Sequence, residues 1–233
     1  MTDWPTPAEF DAYYATPDGR RVARLLAGIV APVIRRGSTA RLLAVGHAAP
    51  VLTGLDPAKL ERMAVVTPAI DGATPFPRNR PGCAIVANPL ALPFEGALFD
   101  QALVVHALEF AQPPRTLLRE LWRVLAPGGD IVLVVANRAG LWTHFENTPF
   151  GMGHPWGRNG LMKLLADTMF EPLSWRSALV APPVRGLRWL DKPLVKLVPR
   201  IGGVHFVHAR KIDETGAARL AGSGATVPVA VTA

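Results

Sequence analysis

Two titratable residues follow one apolar run. Phe99-Asp-Gln-Ala-Leu-Val-Val-His-Ala-Leu-Glu-Phe110 delivers His106 and, three residues on, Glu109. An imidazole titrates near pH ~6.5, so His106 is a candidate general base; the other reading is a core or helix-terminal histidine satisfied by backbone. Glu109 either positions a substrate or caps the helix that follows. A second group lies in Trp142-Thr-His-Phe-Glu-Asn-Thr-Pro-Phe-Gly-Met-Gly-His-Pro-Trp156, where His144 is a further catalytic candidate. Trp142, His144, Phe150, His154 and Trp156 would form either a lid over a planar or apolar acceptor or packing against neighbouring helices. His205 and His208 do not suggest a shared metal, since an offset of three on a strand sends them to opposite faces. With Cys83 as the single cysteine, neither an intramolecular disulfide nor a cysteine metal cluster is expected.

These residues need elements to hold them. Leu117, Leu118, Leu121, Trp122, Val124 and Leu125 recur at helical spacing, and Pro127-Gly128-Gly129 suits a helix stop and a tight turn. Ile131 to Ala136 is then an unbroken apolar run, as in a parallel strand covered on both faces. Further strands are expected over 41–46, 63–66, 83–87, 99–107, 173–180 and 203–211. Helices are expected over 19–36, 51–62 and 161–169, with the aromatic stretch before residue 19 as a lead-in. In an open α/β sheet ligands bind outside the carboxyl ends of the strands, near the switch in strand order, which is where His106 and Glu109 would lie.

Leu-x-Glu-x-x-Arg-Val-Leu-x-Pro-Gly-Gly before a buried strand resembles the segment leading into the fifth strand of the class I S-adenosylmethionine-dependent methyltransferases. The upstream blocks Asn88-Pro-Leu-Ala-Leu-Pro-Phe-Glu-Gly-Ala-Leu-Phe-Asp100 and Gln101 to Phe110 match that family in order and spacing. The resemblance is to its type 11-like members and covers roughly residues 41–139. It implies a Rossmann-like α/β fold with a mixed seven-stranded sheet and helices on both faces. It also implies S-adenosylmethionine as cofactor and a methyl acceptor, which the loop aromatics suggest is a small molecule.

Carried onto this chain, the resemblance places the cofactor against Gly46, His47, Ala48, Thr67, Asn88, Pro89, Leu90 and His106. Asn88 would offer a carbonyl to the adenine amino group, or else open a turn with Pro89. Tyr13 and Tyr14 would lie over the cofactor or pack the first helix onto the sheet. The chain departs from the family at its glycine-rich loop. Arg41-Leu-Leu-Ala-Val-Gly-His-Ala-Ala-Pro50 keeps Gly46 but has Ala44 for the acid and Ala48 and Pro50 for two glycines. The second strand ends in Thr67-Pro68, without the acid that would meet the ribose. Ala48 is expected to crowd the cofactor, so that Ala48→Gly would tighten binding. The same losses motivate a second reading, a methyltransferase-like protein that no longer binds cofactor and serves as an interaction or regulatory subunit.

With 233 residues and 49% hydrophobic content, the chain can bury one sizeable core. A single domain over 1–212 is expected, with substrate-side elements over 140–212 and a disordered tail over 213–233. The net charge of +7 is spread through short arginine clusters without a nucleic-acid motif, which favours a solvated surface over nucleic-acid binding. Arg188, Lys192, Lys196 and Arg200 mark a basic face over 185–200, interrupted by Pro193, that suits covering a sheet edge better than lying on a membrane surface. No basic leader and no apolar run of about 20 residues is visible, so a cytoplasmic protein is expected.

Overall fold

Alternation along the central strands dictates a sheet covered on both sides. Leu43, Val45, Ala102, Val104, Ile131, Leu133 and Val135 share one apolar cluster with Leu117, Leu118, Leu121, Leu161 and Leu164. Their neighbours Leu42, Ala44, Leu103, Val105, Val132 and Val134 share the other with Val22, Leu26 and Val30. The computed structural model describes residues 4–68, 76–77, 83–179 and 202–213. Its strands are β1 (Arg41–Gly46), β2 (Arg62–Thr67), β3 (Ala84–Val86), β4 (Phe99–Val105), β5 (Leu125–Ala136), β6 (Phe170–Ala178) and β7 (Val204–Lys211). They form one sheet in the order β3-β2-β1-β4-β5-β7-β6. β7 runs antiparallel to both β5 and β6, and the other pairings are parallel. Helices α1 (Pro7–Ala15) and α2 (Pro17–Val30) precede the sheet, α3 (Pro114–Val124) leads into β5 and α4 (Arg158–Asp167) into β6. The expected fold is therefore the observed one.

Several boundaries differ. The stretch read as a lead-in is helix α1, started by a capping box in which Thr6 and Glu9 satisfy each other's backbone N–H, with Pro7 at the first turn. The expected helix over 19–36 starts at Pro17 and ends at Val30. Residues 51–62 form turns and a short 3-10 segment, Pro57–Lys59, instead of a helix. Pro127-Gly128-Gly129 does not stop α3. The helix ends at Val124, β5 already begins at Leu125 opposite Phe99, and the three residues form an irregularity inside the strand where Gly128 has a φ of +68°. Residues 185–200 and 214–233 lie outside the described residues.

The segment that carries the family resemblance is a clamp. Glu120 accepts the Leu92 N–H at 3.0 Å and pairs with Arg123 at 2.8 Å, and Arg123 in turn donates to the carbonyls of Leu92 and Phe94. One ion pair on α3 thereby fixes the turn that leads into β4. At the amino ends of the strands Asp130 receives Gln101, Arg35 and His208, which satisfies a buried carboxylate. Lys211 closes β7 by donating to the Leu125 carbonyl at 2.7 Å with its ammonium over Trp122.

β1 and β4 are adjacent, and the chain winds outward from each in opposite directions. Their carboxyl ends flank the switch in strand order. There Gly46 has a φ of +87°, and a Cβ on it would lie 2.2 Å from the Val105 carbonyl oxygen. The next amide, His47 N–H, donates to that same oxygen at 2.9 Å. Gly46 is thus required by the approach of two strand ends whatever binds above them. Gly46→Ala should lower stability by at least about 2 kcal/mol, read as the urea midpoint; a wild-type midpoint would show that the strand ends part freely.

Candidate active site

Above the ends of β1 and β4 lies α1. Thr16 joins it to α2 as a single extended residue whose hydroxyl donates to the Tyr13 carbonyl and accepts the Gly19 N–H. This joint turns Phe10 and Tyr14 down onto the two histidines. Phe10 lies over His47 at 5.0 Å and over His106 at 5.3 Å between ring centroids, nearly parallel to both. Tyr14 stacks on His47 at 5.5 Å, and its hydroxyl meets Nε2 of His106 at 2.7 Å. Phe150 closes the far side of His106, and Trp142 backs Phe150. Asp11 approaches His47 at 3.4 Å.

His106 is 1% exposed and has a φ of +49°, a left-handed conformation that costs energy outside glycine. With the Tyr14 phenol as donor, Nε2 is the bare nitrogen, Nδ1 carries the hydrogen and has no protein partner. Burial, then the neighbouring His47, pushes the His106 pKa down to about 3, so the ring is neutral. Glu109 is 3% exposed; one oxygen accepts the Ala136 N–H at 2.8 Å and the other has no protein partner. Burial pushes its pKa up to about 7. Burial, followed by the charges of Tyr13 and Glu109, holds the Tyr14 phenol well above its ordinary value. In this closed arrangement the proton rests on Tyr14.

A cavity of about 1020 Å³ opens between α1, α2 and the loop after β1, lined by Asp11, Tyr14, Arg20, Arg24, Leu55 and Phe76 among others. Ala49 and Pro50 also line it, whereas none of the sequence-named cofactor residues Gly46, His47, Ala48, Thr67, Asn88, Pro89, Leu90 and His106 does. Tyr14 is therefore the partition between the cavity and His106. Cavities of a few hundred cubic ångströms or more accept drug-sized ligands, so a nucleoside cofactor fits by size. The cavity also supplies what the β1 turn lacks: Asp11 gives a carboxylate near His47 where Ala44 gives none, and Arg20 and Arg24 give positive charge.

The remaining sequence candidates fall apart from this group. Ala48 is 0% exposed and packs in the core with Val51 and Leu52, so its methyl does not crowd the cavity. Ala48→Gly would remove core contacts rather than open a site. Thr67 is buried, and its carbonyl accepts the Ala87 N–H. Asn88 is exposed and uses its side-chain carbonyl on the Leu90 N–H, the turn-opening alternative; Pro89 is buried beside it. His144 is exposed at the end of a 3-10 turn and is not brought to His106, because Trp142 takes the buried position of that turn. His154 is exposed against Arg138. His205 bridges Trp175 Nε1 and the Trp156 carbonyl, clamping the 153–156 loop to the end of β5. Sequence reasoning missed Phe10 and Asp11, although Thr6-Pro7-x-Glu9 announces the helix that brings them.

A parallel sheet with one antiparallel strand, covered by helices and with its polar cluster at the β1/β4 switch, defines the Rossmann-like class I methyltransferase fold. Residues 36–133 match the family model described as a methyltransferase domain. Uncharacterized proteins of Mycobacterium tuberculosis and Mycobacterium bovis are 29% identical over 186 residues. The match takes in 76% of this chain, and the chain spans 62% of those relatives' length. Among solved structures, a Thermotoga maritima S-adenosylmethionine-dependent methyltransferase described as a possible histamine N-methyltransferase aligns with a TM-score of 0.62 at 16% identity, over 88% of this chain and 95% of that one. The complex of the Haloferax volcanii Trm112 activator with its methyltransferase candidate gives 0.64 at 17% identity, over 87% and 97%. Geranyl diphosphate C-methyltransferase of Streptomyces coelicolor gives 0.54 at 14% identity, over 86% and 87%. At these identities the structures attest the fold.

The buried groups set a pH dependence. His106 and His205, the latter lowered to about 4 mainly by burial, take up protons on unfolding below their unfolded pKa near 6.5, so stability falls as pH drops from 6.5 toward 4. Glu109 acts oppositely, since its raised pKa adds stability below about 4.5 that is lost as pH rises through 7. Between pH 6.5 and 5 two histidines outweigh one carboxyl. Stability should therefore fall with pH by up to about 1.4 kcal/mol per unit, and Glu109→Gln should steepen the slope toward twice that. Urea midpoints across pH 5 to 7 check both; a flat wild-type profile would refute the assignment.

Proposed function

We propose that the protein is a methyltransferase that uses S-adenosylmethionine to methylate a small-molecule acceptor beside His106. The observation that carries this is the cavity between α1, α2 and the loop after β1, of cofactor size and divided from a buried, strained histidine by one tyrosine side chain. When bound, the cofactor supplies an electrophilic methyl group on a sulfonium. Arg20 and Arg24, on α2, would hold the carboxylate of the cofactor, and Asp11 would meet its cationic amino end when α1 is down. Phe10 and Tyr14 would exclude water when α1 is down. His106, whose Nε2 already meets the Tyr14 hydroxyl, would take the acceptor's proton. The acceptors in the names of the Thermotoga and Streptomyces proteins are small molecules, which supports an acceptor of that kind.

Methyl transfer draws mainly on proximity, because the cofactor carries the reactive group. In the closed arrangement the rings of Phe10 and Tyr14 cover His47 and His106, so α1 must rise about Thr16 for a ligand to reach His106. A second reading rests on that same cover and on Ala44: a methyltransferase-like protein whose sealed mouth serves fold and partner binding. The Haloferax protein, solved with its activator, supports a protein partner for this fold.

Calorimetric titration with S-adenosylmethionine and S-adenosylhomocysteine separates the two. Micromolar binding with a stoichiometry of one is expected, weakened about 10-fold or more by Asp11→Asn or Arg24→Ala. Amides of α1 should exchange faster as the mouth opens to admit ligand. No heat with either ligand in a folded sample would leave the partner-binding reading. A bulky residue at Gly46 would not serve as the control, since it tests the strand ends rather than the cavity.

A further inference from the structure

The place beside His106 already holds an aryl hydroxyl. Tyr14 Oη lies 2.7 Å from Nε2, its ring is stacked on His47 at an interplanar angle of 17°, and Phe10 and Phe150 wall the imidazole at 5.3 and 5.0 Å. The side chain arrives on a short helix attached through one extended residue, so the whole occupant can leave together. Resting on the methyl-transfer reading above, we infer that the methyl acceptor is a phenol, which takes the position of the Tyr14 ring when α1 lifts.

The chemistry of the position selects against other acceptors. A phenol donates to the bare Nε2 while its ring stacks on the His47 imidazole, as the Tyr14 ring does. A protonated amine has no lone pair with which to attack, and an aliphatic alcohol presents no flat face to the stack. The phenolic oxygen attacks the methyl carbon, the carbon–sulfur bond breaks with its electron pair on sulfur, and the phenolic proton passes to Nε2 of His106. The products are an aryl methyl ether and S-adenosylhomocysteine. Tyr14 is not itself methylated in this scheme, because its own backbone places it as the partition.

The test uses the full chain saturated with S-adenosylhomocysteine, titrated with p-cresol, benzylamine and cyclohexanol, and the S-adenosylmethionine-loaded chain analysed for methyl ethers by mass spectrometry. p-Cresol should bind at least 10-fold tighter than either competitor and yield 4-methylanisole. Tyr14→Phe removes the internal hydrogen bond and should tighten p-cresol about 5-fold. His106→Asn, a residue that tolerates the left-handed backbone, should lose p-cresol binding while keeping S-adenosylhomocysteine affinity and cooperative melting. Equal binding of amine or alcohol, or p-cresol binding indifferent to both substitutions, would overturn the phenol assignment with the cofactor reading intact. Failure of S-adenosylhomocysteine to bind the wild-type chain would overturn both.

Discussion

The backbone contact between the ends of β1 and β4 is the constraint on which the site rests. Gly46 can take its positive φ beside the Val105 carbonyl because it has no Cβ, and the His47 amide then closes onto that carbonyl. Bringing the strand ends so close sets His47 and His106 side by side, since each is the first residue beyond its strand. His106 accepts a left-handed backbone in the process. A histidine in that conformation is strained by an amount of order 1 kcal/mol or more, which the surrounding sheet absorbs. Strain of this kind is found where position matters more than comfort.

On top of that platform α1 is held by rings and one hydrogen bond. Aromatic contacts contribute about 1 kcal/mol each and a neutral hydrogen bond about 1 kcal/mol net. A latch of about 3 kcal/mol would lower the apparent affinity of any ligand that needs it open by roughly 100-fold. The mouth is therefore both dry and reluctant. That combination suits a transfer in which water competes with the acceptor for an electrophilic methyl group.

Much of the fold was legible, because its signals are local or periodic. The apolar alternation of β1, β4 and β5 and the stripe of α3 are read directly from residue order. His106 and Glu109 were found because they end a strand. What sequence could not place was anything set by the approach of distant elements. Ala48 reads as a crowded loop position, yet its methyl is in the core because the chain turns inward after His47. His144 and Trp142 are two residues apart and equally eligible on paper, but only Trp142 goes inward, packing under Phe150. Pro127-Gly128-Gly129 carries the chemistry of a helix stop, and the sheet overrides it by pairing Leu125 with Phe99 two residues earlier. The aromatic lead-in hides helix α1, because nine residues are too few to show a helical stripe and only the capping box at Thr6 marks it.

The Glu120–Arg123 pair grips the backbone of Leu92 and Phe94 from below, far from Asp11 and the cavity. The residues that make the chain recognisable are therefore its scaffolding rivets. Such rivets hold the sheet together whatever the mouth above them binds. The mouth makes none of these contacts, so an acid or a glycine lost there leaves the signature intact. Kinship in this chain is written on one end of the molecule and its trade on the other.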